Sequence, residues 1–506
     1  MKRLQIGSLF FIICFVVCMV GPANVQASTY KKEDFVVEAH DLKRPTVLNK
    51  GQNFSISGTI EANKEINKIG IYVEDLDLFK KEIKLEKEVG SYSVNLSDYN
   101  SYISLSKLSS GVKELKIKLY DNDGNNVKLT RTFTVLGKAK EPIHITGKCK
   151  IKASTGNVSN VTDSTVNTYW NGGTMTINLP DDRIADGILI KWHVTTNEYT
   201  FKSYNADGEV LDEYDGNGYR MIHKYYTLDE NSKKVVIKLK KSKGNNGICT
   251  LRVYEKDKVG ASVERWKSPS VGDCDLMVFS AHRDDELLFF GGTIPYYQSV
   301  RQKNVITVYM SGRDRLRVRE ALAGQWSMGN STYPLFLNFP GGYHDGIKGT
   351  LSSWGGEDHV LKVLVEKIRK YKPKVVVTHD ENGEYGHPTH KTTAYLIKKA
   401  IKLAADETKF SDSLDKYGAW QVKKLYLHNY SKNKVKMNWN RKSTDLDGKT
   451  PYQAAVVAYD KHVSQHGSWS MNCSTVKKYP NNEFGLVFSK VGPDKSKNDF
   501  FENIDE

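Results

Sequence analysis

From about Phe35 to Leu136, apolar and polar residues alternate in short runs such as "NFSISGTI", "INKIGIYVE", "GSYSVNLS" and "ELKIKLYD". A period of two is that of half-buried antiparallel strands, whose side chains point alternately to core and water. Asp121-Asn122-Asp123-Gly124-Asn125 predicts a tight turn between two such strands, and "KLTRTFTVLG" supplies a last one. A second β-rich block, from about Ile143 to Glu255, contains "TMTINLP" and "ADGILIKWHV". The stretch "KDKVGASVERWKSPS" reads as a basic linker, after which the pattern changes. "DLMVFSA", "NVITVYM", "YPLFLNF" and "PKVVVTH" are nearly continuous apolar runs, separated by helical segments such as "RLRVREALAGQWSM" and "DHVLKVLVEKIRKY". Strands apolar on both faces and alternating with helices predict an α/β domain with a mostly parallel sheet. Such sheets bind ligands at the carboxyl ends of their strands.

A chain of 506 residues exceeds one compact core, so a multidomain protein is expected: 28–138, 143–256 and 270–500, preceded by a segment 1–27. The first block resembles bacterial immunoglobulin-like (Ig-like) β-sandwich modules. In the second, Asp163, Thr168 and Trp170 within "SNVTDSTVNTYWNGG" resemble the discoidin-like jelly-roll modules, many of which bind sugars. That resemblance makes Tyr169, Trp170 or Trp192 a possible aromatic platform for a glycan; the alternative is that all three are core residues. The third unit is expected to be Rossmann-like.

Lys2 and Arg3 before an apolar run from Leu9 to Val20, followed by Val25-Gln26-Ala27, have the layout of a secretory signal cleaved after Ala27, with a retained membrane anchor as the alternative. The expected location is therefore secreted or cell-surface associated, in a Gram-positive bacterium. Beyond that segment remain Cys149, Cys249, Cys274 and Cys473. Their even number permits two disulfides. Cys149–Cys249 and Cys274–Cys473 are expected, each pair bracketing one proposed domain, with four free thiols as the alternative. The net charge of +15 suits attraction to anionic cell-wall polymers or lipid headgroups. Lysines are scattered through every region and no basic helix or stacking motif gathers them, so nucleic acid is not expected as a partner.

The candidate chemistry lies in two clusters. The first apolar run of the third unit ends in Ala281-His282-Arg283-Asp284-Asp285-Glu286, and the fourth leads into Gly383-Glu384-Tyr385-Gly386-His387-Pro388-Thr389-His390. Histidine and aspartate are good ligands for first-row metals, and three protein ligands with an open position make a catalytic zinc site. Adjacent carboxylates diverge in direction, so one of Asp284 and Asp285 can ligate while the other accepts a proton from water. His387 and His390 divide in the same way: one ligates, and the other, protonated, stabilises an oxyanion or a leaving amine.

"AHRDDE" and "GHPTH" resemble the paired signatures of the PIG-L/LmbE family of zinc de-N-acetylases, whose usual motifs are Ala-His-Pro-Asp-Asp-Glu and Gly-His-Pro-Asp-His. The resemblance extends to Gly291-Gly292, to Arg317-x-x-Glu320 and to His462-x-Ser464-Gln465. It implies His282, Asp285 and His390 as ligands of one zinc ion per chain, with ferrous iron as the alternative. It implies Asp284 as general base, His387 as electrostatic partner or acid, and Tyr385 at the substrate or its oxyanion. Arg317 would contact substrate, with His462 and Gln465 as weaker candidates. Arg283 and Thr389 depart from the motifs in place of proline and aspartate. Arg283 adds a cation that either favours an anionic substrate or pairs with Glu286. His379 and Asp380 read as loop supports.

The expected function is hydrolysis of N-acetyl groups on N-acetylglucosamine (GlcNAc)-containing glycans or glycoconjugates, with the β-modules holding the enzyme on a polymer. The alternatives are a zinc amidase acting on another acylated amine and a non-catalytic glycan-binding surface protein. A polysaccharide deacetylase of the other common zinc class would carry a Thr-Phe-Asp-Asp block, which is not evident.

Overall fold

The computed structural model describes residues 28–504, apart from 44–46, 50–53, 55, 76–79, 104–107, 110, 137–141, 217–220, 240–245, 447, 466–472 and 476–477. The secretory-signal reading falls on residues 1–27, outside the described residues. Among the described residues no helix is long and apolar enough to cross a membrane.

The first unit is all β: β1 (Ser28–Lys32), β2 (Phe35–Lys43), β3 (Val47–Asn49), β4 (Ser57–Asp75), β5 (Lys80–Asn95), β6 (Gly111–Tyr120) and β7 (Asn126–Leu136). The expected turn joins β6 to β7. Asp121 Oδ1 accepts the backbone N–H groups of Asp123 and Asn125, and Gly124 takes the left-handed φ of 84°. The long strand β4 changes partners along its length, pairing with β2 through Ser57–Ala62 and with β6 through Lys68–Asp75.

The second unit is also all β. Its strands are β8 (Lys150–Ala153), β9 (Gly173–Asn178), β10 (Ala185–Trp192), β11 (Tyr199–Tyr204), β12 (Val210–Asp215), β13 (His223–Thr227), β14 (Lys234–Leu239) and β15 (Ile248–Glu255). They form two sheets, ordered β13-β10-β15 and β12-β11-β14-β9-β8. Trp170 and Trp192 are 1% and 0% exposed in the core between them, which assigns both to packing and removes them as sugar platforms. Tyr169 stays half-buried.

The third unit holds β16 (Leu276–Ser280), β17 (Val305–Ser311), β18 (Leu335–Phe339), β19 (Val375–Thr378), β20 (Lys424–His428), β21 (Lys434–Lys436) and β22 (Glu483–Ser489). Its helices are α1 (Asp285–Leu288), α2 (Thr293–Pro295), α3 (Arg315–Ser327), α4 (Gly346–Ser353), α5 (Glu357–Tyr371), α6 (Pro388–Ala404), α7 (Ser411–Tyr417) and α8 (Pro451–Tyr459). The sheet order is β18-β17-β16-β19-β20-β22-β21, parallel from β18 to β20 and antiparallel beyond. Alternate residues face two separate cores. Leu276, Val278, Val375 and Val377 pack with α1 and α8, while Met277, Phe279 and Val376 pack with α5 and α6. The strand order reverses between β16 and β19, the place where open α/β sheets leave a crevice at their carboxyl edge.

Two expectations fail here. All four described cysteines are free thiols. Cys274 and Cys473 belong to the two different cores of the third unit. Cys149 packs on the core of the second, whereas the Cys249 thiol bonds the Lys191 carbonyl and receives an Arg319 N–H. Nor is the basic stretch after β15 an open linker. Val259, Val263, Arg265 and Trp266 are all at most 3% exposed. Trp266 packs against Trp326 of α3 and against Tyr333, with ring centroids 5.3 and 5.6 Å apart. The core of the second β-module thereby runs on into the third unit, taking in Leu322 and Tyr333.

Candidate active site

The crevice between β16 and β19 receives both polar clusters. His282 follows β16, and Asp285 opens α1 one turn later. From the other side, Gly383 to His387 form a tight connection into α6, whose first turn carries His390. Gly383 has φ 67°, and a Cβ there would sit 2.6 Å from the His387 carbonyl, so only glycine lets the loop turn back so sharply.

Three donor atoms converge. His282 Nδ1 is 3.0 Å from Asp285 Oδ2, His390 Nε2 is 3.2 Å from the same oxygen, and the two histidine nitrogens are 3.2 Å apart. Two ligands on a tetrahedral zinc at about 2.0–2.2 Å stand roughly 3.3–3.5 Å from each other. The triangle therefore fits one ion with small side-chain adjustments. The charge balance agrees. Burial alone would depress His390, but the Asp285 and Glu384 carboxylates outweigh it and raise the imidazole to about 10, so the pocket is built to hold positive charge at that point. His379 also approaches Asp285, at 3.6 Å. Its Nε2, however, accepts the Ala281 N–H at 2.9 Å and its Nδ1 meets Glu384, so neither nitrogen is left for a metal.

Glu384 was not singled out by its sequence context. It is completely buried and accepts from Nδ1 of His379, His390 and His428 at 2.9, 2.7 and 2.7 Å. His428 closes β20, and its Nε2 faces the Pro480 carbonyl at 3.1 Å. The partners come from three separate chain segments, so only a carboxylate five residues after a histidine hinted at the arrangement. By holding the proton on Nδ1 of His390, Glu384 leaves the Nε2 lone pair aimed into the triangle with His282 and Asp285.

Asp284 lies beside the triangle. Burial, together with the neighbouring Asp285, pushes its carboxyl up to about 6, and Arg317 partly opposes this with an ion pair of 2.7 Å to Oδ1. His387 stacks on His390 at 4.7 Å and meets His282 edge-on at 4.7 Å. Burial and those two imidazoles push it down to about 3, so it is neutral, against the expectation of a protonated side chain. Its Nδ1 accepts the Thr389 N–H, which places the ring proton on Nε2. Tyr385 is 43% exposed, with a left-handed φ of 50°, and its ring lies 5.6 Å from that of His387. Burial and the nearby carboxylates hold its hydroxyl well above the usual phenol range, so it remains a donor. Tyr343 is 73% exposed and meets His387 edge-on, with centroids 5.0 Å apart.

Arg283 does not reach this group. It is 2% exposed, donates to the Gly312 carbonyl and to Asn338 Oδ1, and lies over Phe336. Glu286, its other suggested partner, meets the Tyr309 hydroxyl instead. Gln465 donates to Ser464 Oγ, and Ser464 in turn bonds the Glu320 carboxylate of α3. That joins the late motif to the helix bearing Arg317. His462 is fully buried against Tyr459. Asp380 bonds the Asn382 N–H, as a loop support does.

The family model for PIG-L, the GlcNAc-PI de-N-acetylases, matches residues 277–401, which span both clusters. This stretch is a PIG-L domain. A 1D-myo-inositol 2-acetamido-2-deoxy-alpha-D-glucopyranoside deacetylase of Geodermatophilus obscurus is 30% identical over 179 residues, 30% of this chain and 60% of that protein. The enzyme of the same name from Rhodococcus opacus is 32% identical over 180 residues, again 30% of this chain and 60% of the relative. The chain thus spans about three fifths of the length of these relatives. The structure of N,N'-diacetylchitobiose deacetylase from Pyrococcus horikoshii is similar at 21% identity and a TM-score of 0.30, covering 39% of this chain and 72% of that one.

Proposed function

We propose that this protein is a secreted, zinc-dependent hydrolase that removes N-acetyl groups from GlcNAc-containing glycans or glycoconjugates. The observation that carries the reading is the convergence of His282, Asp285 and His390 with Asp284 beside them, inside the PIG-L domain. We assign the three units, with borders at 28–138, 143–256 and 270–500, to an Ig-like sandwich, a jelly roll and a Rossmann-like domain.

His282, Asp285 and His390 would hold the ion, which supplies Lewis acidity toward the acetyl carbonyl and acidifies water. Asp284 accepts the proton of the attacking water; a carboxyl near 6 is deprotonated at neutral pH yet basic enough for the task. Arg317 fixes its orientation through Oδ1, leaving the other oxygen for the water. The Tyr385 hydroxyl and the Nε2–H of His387 donate to the oxyanion as the carbonyl becomes tetrahedral. Asp284, now protonated, returns its proton to the departing amine, and acetate and the free amino sugar leave.

The test is acetate release by the zinc-loaded protein from GlcNAc oligomers, peptidoglycan fragments and GlcNAc-lipid, with Asp284→Asn beside it. Release by the parent and loss in the variant supports the reading. No release from any of them, with zinc bound, refutes it.

A further inference from the structure

The helix α3 has two occupied faces. Arg317 and Glu320, three residues apart, turn toward the catalytic crevice, where Arg317 pairs with Asp284. Arg315 and Arg319, four apart, turn the other way, onto the second β-module. Arg319 donates to the Trp192 carbonyl at 2.6 Å and to the His193 carbonyl at 3.2 Å. Arg315 donates to the ring of His193, whose Nδ1–H is taken by the Val166 carbonyl at 2.6 Å. His193 is therefore fixed at both nitrogens, and Tyr169 stacks on its face with centroids 4.6 Å apart and 28° between planes. Farther along α3, Leu322 belongs to the β-module core, with Val318 and Trp326 packed on it.

The platform of Tyr169 and His193 is thus held in a fixed position relative to Asp284. An α-helix with its side chains is about 10–12 Å across, which sets the scale of the separation. His193 itself is buried at 6% exposure, while its chain neighbour Val194 is 46% exposed; Arg315 is exposed, and its chain neighbour Leu316 is 54% exposed. A half-buried aromatic ring beside a guanidinium rich in N–H donors has the composition a pyranose recognises: the sugar has an apolar face to stack and hydroxyls to accept hydrogen bonds.

We propose that Tyr169, His193 and Arg315 form a distal sugar subsite across the junction of the second β-module and the PIG-L domain, making the substrate a glycan chain of amino sugars rather than a single sugar. The proposal rests on the de-N-acetylase reading for its reaction but not for its binding. Tyr169 supplies the stacking surface, Arg315 bonds hydroxyls, and His193 locks both in place. A sugar seated there lies across α3 from Asp284, so only a substrate longer than a monosaccharide reaches both places.

Two measurements on the full chain test this. The first is kcat/KM for acetate release from GlcNAc and from its dimer through hexamer. The expected result is a rise of about tenfold or more with length, reduced about tenfold for the hexamer in Tyr169→Ala and retained in Tyr169→Phe, as a ring-stacking contact requires. Length-independent kinetics in the parent, or an unchanged ratio in Tyr169→Ala, overturns the subsite. The second is calorimetric binding of the hexamer to Asp284→Asn. Binding that weakens on adding Tyr169→Ala upholds the subsite even if no acetate is ever released, whereas absence of binding refutes it independently of the reaction.

Discussion

The Glu384 carboxylate lies 2.7 Å from Nδ1 of His390, on the side of the ring away from His282 Nδ1 and Asp285 Oδ2. Replacing it by glutamine keeps its size but sets an amide N–H against nitrogens that themselves donate. The His390 tautomer is then no longer enforced. Glu384→Gln is expected to weaken zinc binding by about 10–100-fold, the range seen when such supporting partners are lost. Competition with a fluorescent chelator measures it, and a dissociation constant within about threefold of the parent's, inside the context spread of such effects, contradicts the role.

Asp284→Asn separates catalysis from metal binding. The amide cannot accept a proton, so acetate release should fall by about 10²–10⁴-fold, the usual contribution of a general base. Zinc content per chain should stay at the parent level, because His282, Asp285 and His390 are untouched.

The pH dependence follows from the same carboxylate. Burial raises Asp284 to about 6, so kcat/KM should decline as pH drops through 6 and the base is protonated. Arg317 opposes that rise. In Arg317→Gln the acidic limb should move to higher pH by about one unit, on the scale of a lost neighbouring cation. The stability effect has the matching sign. Between about pH 4 and 6 the folded state holds this proton more tightly than the unfolded chain, so Asp284 disfavours folding increasingly as pH rises through that window. A pH–rate profile of both proteins reads the shift, and coincident acidic limbs would sink the argument.

Cys149, Cys249, Cys274 and Cys473 are all free. A reductant should leave the melting temperature in place, whereas losing a native disulfide typically costs about 2–5 kcal/mol. Thiol titration in denaturant should find all four reactive. A melting temperature that drops on reduction would contradict the free-thiol state.

The cluster proposed to hold the metal was legible because His282, Asp285 and His390 stand at strand ends and at motif spacing, where a buried parallel sheet must expose its polar residues. The alternation in 35–136 and the continuous apolar runs gave the change from all-β to α/β architecture for the same local reason. Arg283 misled, because a cation inside a motif reads as a pocket residue until its partners, Gly312 and Asn338, are seen to come from other strands. Glu384 was invisible because its partners are distributed over the segment just after β19, α6 and β20. The stretch after β15 read as a linker on its lysines, although Val259, Val263 and Trp266 were apolar residues with no assigned core. Long-range packing decided each of these cases.

The packing of Trp266, Leu322 and Tyr333 with the second β-module has a practical and an evolutionary side. The matched family segment begins at residue 277, after Trp266 and after every strand that covers this face. A fragment cut at that border would present a raw apolar surface to water, and it should aggregate where the longer chain stays soluble. Inheritance should respect the same seam: exchanging the β-module for an unrelated one would demand simultaneous changes on α3, so module and helix face are bound to vary together.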